Sequence, residues 1–278
     1  MRVEKVINNN VVSTKDENSR EVVVMGKGLG FKAKRGDMIR EDRIEKIFHM
    51  ESQSSVDKFK VLLEKMPLEH IQVTSKIVEH AKKVLNKKLN PNIYITLTDH
   101  INFAVERYRQ GMMFQNPLVL EVKNFYRQEY LIGKYAVDLI GKELKVALSV
   151  DEVVSIALHI VNAEYNTQMS EAIHITKCIP EILDIVEEYF NIRLDKESLH
   201  YERFVTHLKF LTQRIVKKEL LDNKDKEFEE AIERLYPREF KCAREVKGYI
   251  EEHFEYQITE EELAYLTVHI RRVILADQ

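Results

Sequence analysis

The sequence predicts an α+β protein of several domains: a small antiparallel β-sheet domain at the N-terminus, then two homologous all-α helical bundles. Three observations carry that reading. Four of the eight glycines, Gly26, Gly28, Gly30 and Gly36, fall within eleven positions, among β-branched runs. From Val56 onward the apolar residues follow the helical period, in stretches such as VDKFKVLLEKM and HIQVTSKIVEHAKKVL. Finally, His100-x-x-Phe103-x-x-x-Arg107 recurs as His207-x-x-Phe210-x-x-x-Arg214, so the helical part is expected to be a duplication.

The N-terminal elements are read in order. VEKVI and VVST flank the triplet Asn8-Asn9-Asn10, whose residues tolerate left-handed turns. DENS, residues 16 to 19, is a second turn, and REVVVM, residues 20 to 25, alternates as a strand does. MGKGLGFKAKRGD follows, with glycines where the chain must bend or be approached closely. A sheet of about 50 residues is marginal by itself, so it is expected to dimerise or to lean on a neighbour. ESQSS, residues 51 to 55, reads as a linker. The domains are therefore expected at 1–55, 56–170 and 171–278.

In the helical part, NPNIYITLTD is read as a break before His100, and GMMFQNP, residues 111 to 117, as another. Further helices are expected through LEVKNFYRQEYLIGKYAVDLIGKEL and DEVVSIALHIVNAEYN. Ser149 with Glu152, and Thr259 with Glu262, have the spacing of capping boxes, and His159 and His269 each lie ten residues beyond their cap. The pairs His100/His159 and His207/His269 thus occupy matched offsets in two copies of a module.

Bulk properties narrow the function. The net charge is −3, with residues 1 to 55 at +2 and the remainder at −5, so the more basic surface lies at the glycine-rich end. Cys178 and Cys242 are isolated, which suggests neither a zinc framework nor a disulfide one and favours a reducing, cytoplasmic setting. The start has no apolar signal region, and no run approaches the length of a membrane span. No cofactor is implied.

Four readings of the paired histidines are open. Any one of them is a packed structural ring. A helical metal site would need clustered ligands; Glu152 with His159 and Glu262 with His269, at a spacing of seven, allow it without requiring it. Hydrolysis by a nucleophile lacks a suitably placed serine or cysteine. Reversible phosphorylation is the fourth: a neutral imidazole attacks a phosphoryl donor, and the new negative charge repels acids or recruits arginine. Arg271 and Arg272 follow His269, whereas Asn162 and Glu164 follow His159. A phosphate is therefore better accommodated in the second module. Arg107, Arg214, Arg271 and Arg272 are the candidate phosphate contacts. His49, His70, His80, His174, His200 and His253 have no counterpart in the other copy and are read as structural.

The ordered motifs INNN, MGKGLGF, DHINFAVER, ALHIVNAE, THLKF and VHIRR span essentially the whole chain. In this it resembles the BglG/SacY/LicT transcriptional antiterminators. The resemblance implies a dimeric co-antiterminator RNA-binding domain, two PTS regulation domains and no enzymatic activity. It also implies binding to an RNA hairpin in the leader of a sugar-utilisation operon, leaning towards β-glucosides. RNA contacts would fall on Asn8, Asn10, Gly26, Lys27 and Phe31, with Lys27 standing where arginine is common in the family. An aromatic such as Phe31 can stack on an unpaired base, Asn10 can read base edges, and Gly26 would let the backbone come close. His100 and His159 would be acted on by the sugar-specific PTS permease, which inactivates. His207 and His269 would receive phosphate from the general PTS phosphocarrier protein, which activates, and phosphorylation would control homodimerisation. A DNA-binding activator with the same regulation modules, and a metal-dependent helical enzyme, are the rival readings; DNA binding and stable membrane insertion are not expected.

Overall fold

The computed structural model describes residues 1–112, 114–219, 225–254 and 257–275. Met113, in the expected break at 111–117, and residues 276–278, at the end of the second module, lie outside the described residues. The chain forms two compact units, Met1–Asn166 and Thr167–Gln278.

The first unit opens with a four-stranded antiparallel sheet, β1 (Lys5–Asn8), β2 (Val11–Lys15), β3 (Glu21–Met25) and β4 (Lys46–Phe48), in sequential order. Cross-strand register sorts its side chains. Val11 faces Met25 and Val23 faces Phe48 on one side, while Val12 faces Val24 and Val6 faces Val12 on the other. The second side is closed by the chain's own return, with Val3 and Ile39 buried and Leu29 and Ile44 packed against them. The first side joins a larger core with Val56, Phe59 and Leu63 of α1 (Gln53–Lys65). So the sheet leans on a neighbour, one of the two outcomes expected of so small a domain.

Several local expectations are corrected. The asparagine turn has no positive φ; it is closed instead by the Asn10 N–H donating to Asn8 Oδ1 at 2.8 Å. Residues 51 to 55 are not a free linker, because Ser52 caps α1 through the Ser55 N–H. At DENS the turn holds as expected: Asp16 Oδ1 accepts from the N–H groups of Asn18 and Arg20, and Ser19 sits at φ 60°.

Eleven helices are found among the described residues. After α1 come α2 (Leu68–Leu85), α3 (Ile93–Arg109), α4 (Val119–Phe125), α5 (Arg127–Leu144) and α6 (Val150–Tyr165). The second unit has α7 (Met169–Phe190), α8 (Leu199–Lys217), α9 (Lys226–Leu235), α10 (Pro237–Phe254) and α11 (Glu260–Leu275). None is long and apolar enough to cross a membrane. The modules match helix for helix, α2–α6 against α7–α11, and in each the helix of the first histidine packs on the helix of the second, α3 on α6 and α8 on α11. The helix α1 stands outside this correspondence.

One boundary differs from the sequence reading. NIYITLTD does not interrupt the chain ahead of His100. The helix α3 starts at Ile93, and Ile93, Tyr94, Leu97 and Thr98 are buried. Burial of these residues outweighs their weak helix propensity, and Thr98 returns its hydroxyl to the Tyr94 carbonyl (2.6 Å). The helical run expected over 120–144 is built as two helices, with the buried Tyr126 separating α4 from α5.

Candidate functional site: two histidine pairs and a basic glycine loop

In the first module His100 on α3 meets His159 on α6, with ring centroids 4.9 Å apart and planes tilted by 44°. In the second, His207 on α8 stacks on His269 of α11 at 4.1 Å and 20°. The matched offsets in the sequence are therefore matched contacts in space. Burial holds the imidazole of His159 down to about 3, with the neighbouring His100 adding to it. The imidazole of His207 is lowered to about 3 by burial, then by His269 and Arg214. His269 is lowered by burial and by Arg272. These three rings are neutral near pH 7, the form whose lone pair is nucleophilic.

The glutamates read as capping partners have a different task. Ser149 stands at the N-cap of α6, but its hydroxyl donates to Asp151 Oδ2 (3.1 Å) and makes no cap bond. Thr259 Oγ1 does accept the Glu262 N–H at 3.3 Å. Both glutamate side chains turn inward to the arginine of the His-x-x-Phe-x-x-x-Arg motif. Arg107 Nη2 donates to Glu152 Oε1 at 2.6 Å, and His100 Nε2 lies 3.0 Å from Glu152 Oε2. Burial would raise the Glu152 carboxyl, yet His100 and Arg107 together hold it below the usual range. In the second module Arg214 takes the whole carboxylate, Nε to Glu262 Oε1 and Nη2 to Oε2, both at 2.6 Å. The sequence offered only the recurring residues, a motif arginine and a glutamate near the start of the partner helix in both copies; their pairing is made by the packing of the helices.

Of the remaining candidate arginines, Arg271 donates to Glu239 Oε1 at 2.9 Å and stacks over Tyr236, so it is engaged. Arg272 is exposed and close enough to His269 to depress its basicity. His70, read as structural, contacts Asn102 Oδ1 through Nδ1 at 3.1 Å, and His80 stacks on Tyr135 at 3.8 Å.

At the sheet, the candidate RNA residues lie around one set of turns. The Gly26 N–H donates to the Asn10 carbonyl and the Gly28 N–H to Asn10 Oδ1, each at 2.9 Å. The amide oxygen of Asn10 is thus committed, and a further partner of this side chain would be met through Nδ2. Gly26 is buried, and a Cβ there would sit 1.9 Å from the Arg43 carbonyl oxygen, so it is the protein's own backbone that requires the missing side chain. Gly28 is needed for its φ of +72°. Phe31 is 61% exposed with Lys32 Nζ 5.4 Å from its ring centre, and Lys27 is exposed while its N–H donates to Glu45 Oε1 (3.2 Å). Both ends of the Asn8 side chain are engaged: Oδ1 accepts from the Asn10 N–H, and Nδ2 donates one of its two N–H groups to the Leu63 carbonyl at 2.8 Å.

Comparison with known families settles what this arrangement is part of. The family described as CAT RNA binding domain matches residues 1–56, and that described as PRD domain matches residues 75–163 and again 180–273. The chain belongs to the BglG/SacY/LicT family of transcription antiterminators. Among members of the family, "Transcription antiterminator LicT" of Bacillus subtilis is 45% identical over 99% of this chain and 99% of its own. "Beta-glucoside operon antiterminator" of Dickeya chrysanthemi is 41% identical, over 98% and 96%. A crystal structure of GlcT CAT-PRDI is 35% identical and aligns with a TM-score of 0.53, covering 59% of this chain and 97% of that one. Family membership assigns the chain to RNA-binding regulators rather than enzymes, and the fold agrees with the expected sheet followed by helical domains.

Proposed function

We propose that this antiterminator binds a hairpin in the nascent leader RNA of a sugar-utilisation operon, a β-glucoside operon by the leaning of the whole-chain pattern, and so keeps a terminator hairpin from forming. Phosphorylation of the histidine pairs sets whether two chains dimerise to hold that RNA. The observation that carries the regulatory half is the repeated meeting of two histidines beside a buried Glu–Arg pair, at 4.9 Å in one module and 4.1 Å in the other.

The asymmetry of the pairs supports opposite signs of control. A phosphate on His100 comes up against the Glu152 carboxylate, already 3.0 Å from the ring, and competes with it for Arg107; like charge and desolvation favour opening. At His269 the exposed Arg272 offers a cation, and Glu262 is already neutralised by Arg214. The resemblance to the family adds the donors: the sugar-specific permease for His100 and His159, which inactivates, and the general phosphocarrier protein for His207 and His269, which activates. The division 1–55, 56–170 and 171–278 and a cytoplasmic location, beside the nascent transcript, complete the proposal.

For the RNA half, Phe31 stacks on an unpaired base, Lys27 meets phosphate, Asn10 donates through Nδ2, and Gly26 holds the turn that presents them. A gel shift of the full chain with a labelled RNA hairpin bearing unpaired stem bases tests this. Phe31→Ala should weaken binding by about 1–3 kcal/mol, the usual share of one base stacked on an aromatic ring. Unchanged affinity would remove Phe31 from the interface, and no shift with the parent chain would refute the RNA assignment.

A further inference from the structure

Residues 1–55 contain five arginines, and four of them have an oxygen partner. Arg2 donates to the Gly36 carbonyl (2.9 Å), Arg20 pairs with Asp16 (3.6 Å), Arg35 with Glu4 (3.3 Å) and Arg40 with Asp42 (2.9 Å). The fifth, Arg43, is exposed, and among the described residues its guanidinium has neither a hydrogen-bond acceptor nor an ion-pair partner. The carboxylates of Asp42 and Glu45 are committed elsewhere. Asp42 gives both oxygens to Arg40. Glu45 accepts from the Lys27 N–H through Oε1 (3.2 Å) and from Gln72 Nε2 through Oε2 (2.7 Å).

The backbone at this position is seated on the glycine turn. The Arg43 carbonyl oxygen lies 1.9 Å from where a Cβ on Gly26 would stand, the Arg43 N–H donates to the Arg40 carbonyl (3.1 Å), and Ile44 packs against the core of Val3, Val12 and Ile39. From that fixed origin the side chain runs back over the turn, with Nη1 3.9 Å from the place of a Cβ on Gly28. The same turn carries Lys27 and the exposed ring of Phe31, with Lys32 Nζ 5.4 Å from the ring centre. An exposed aromatic flanked by cations is a surface suited to unpaired RNA, the ring taking a base and the cations its phosphates. A guanidinium with no internal acceptor has its whole fork of donors available, and a phosphate can take two of them at once. We propose that Arg43 is a further RNA-binding residue, whose guanidinium holds a backbone phosphate of the hairpin beside Gly28 while Phe31 takes a base. A phosphate contact sets register and orientation without reading sequence, so Arg43 fixes how the hairpin sits and leaves the choice of bases to Phe31 and Asn10. The inference rests on the RNA-binding reading given above, and it adds a cation that the family resemblance did not place at the interface.

The test uses the full chain and a labelled RNA hairpin with unpaired stem bases, titrated at several salt concentrations. Arg43→Gln should weaken binding roughly tenfold at about 0.1 M salt, the share of one charge-assisted contact. It should also flatten the slope of log affinity against log salt by about 0.7–0.9 for each phosphate released. The loss should be the same factor on a second hairpin whose unpaired bases are replaced. Arg43→Lys keeps the charge and loses the fork, so it should keep the parent's slope with affinity lower by about two- to threefold. Arg20→Gln, just before β3 and at the end away from Gly26, removes another exposed cation of the sheet domain and should leave the slope as it is. Both arginines are exposed, so every variant should keep the circular dichroism of the parent. Unchanged affinity and slope in Arg43→Gln overturns the proposal. So does weaker binding at the parent's slope, or a loss confined to one hairpin, since either assigns Arg43 to the shape of the turn or to a base. Equal flattening by Arg20→Gln also overturns it, by reducing the effect to general charge. No hairpin bound by the parent chain refutes the RNA reading and Arg43 with it, whereas parent binding that Arg43→Gln leaves intact refutes Arg43 alone.

Discussion

The two histidine pairs are copies of one device with the charges distributed differently. In the first, a single buried carboxylate, Glu152, is shared between an arginine and a histidine. In the second, Glu262 is claimed at both oxygens by Arg214, and His207 is left with a histidine for company. Sharing makes the first module sensitive to a new negative charge on its ring, because the carboxylate has a partner to lose. Saturation makes the second tolerant of it. A duplicated fold thus holds two differently loaded ion pairs without any change in topology.

The sharpest way to break that comparison is to delete the arginines. Arg214→Ala strands the buried Glu262 with no cation and should destabilise the second module by about 3–5 kcal/mol. Arg107→Ala should cost the first module about half as much, because Arg107 is more exposed and Glu152 retains His100. Hydrogen exchange resolved by module measures both, and equal losses would show that sharing and saturation are energetically alike.

Acid should separate the modules next. The folded pKa values of His159 and His207, about 3, lie below the ordinary histidine value of 6.5, so the unfolded chain binds more protons between those limits. Stability present above pH 6.5 is therefore lost as pH falls through this window, by about 1.4 kcal/mol per pH unit for each such ring. His269 is lowered as well, giving the second module an additional contribution of the same sign. Urea titrations between pH 7 and pH 5 with a probe in each module should find the second falling more steeply.

Smaller effects are expected from charge placed on the rings. His100→Asp, beside Glu152, should weaken dimers roughly fivefold, and His269→Asp, beside Arg272, should strengthen them by a similar factor. Sedimentation of the two variants giving the opposite order would reverse the assignment of signs. Least of all, Arg272→Ala in the unphosphorylated chain should change stability by less than about 0.5 kcal/mol, since the side chain is exposed. Its effect should emerge only when His269 carries phosphate, as a faster loss of the dimer.

The order of elements, the duplicated helical module and the four histidines were legible in the sequence because they depend on period and offset, which one chain displays directly. Position ten beyond a helix start is a fixed height and face on any helix, so His159 and His269 could be matched before any contact was seen. The β4 strand was not legible, since Lys46–Phe48 is three residues long and acquires its pattern only by pairing with β3. The helical course of NIYITLTD was hidden for a related reason: its weak propensity is overridden by burial among residues distant in sequence. The roles of Glu152 and Glu262 were concealed by an equally valid local explanation, the capping box, which competes for the same side chain. Local chemistry could propose that the glutamate turns back on its own helix, but only the packing of α6 on α3 and of α11 on α8 brings it an arginine. Likewise residues 51 to 55 look like a linker until the sheet supplies the apolar face on which α1 lies. What the sequence determined by itself is periodicity: which residues share a face, and that two modules share one plan. What tertiary structure alone decided is partnership, because a charge or an apolar face is satisfied by whichever neighbour folding brings within reach, and that distance is not written along the chain.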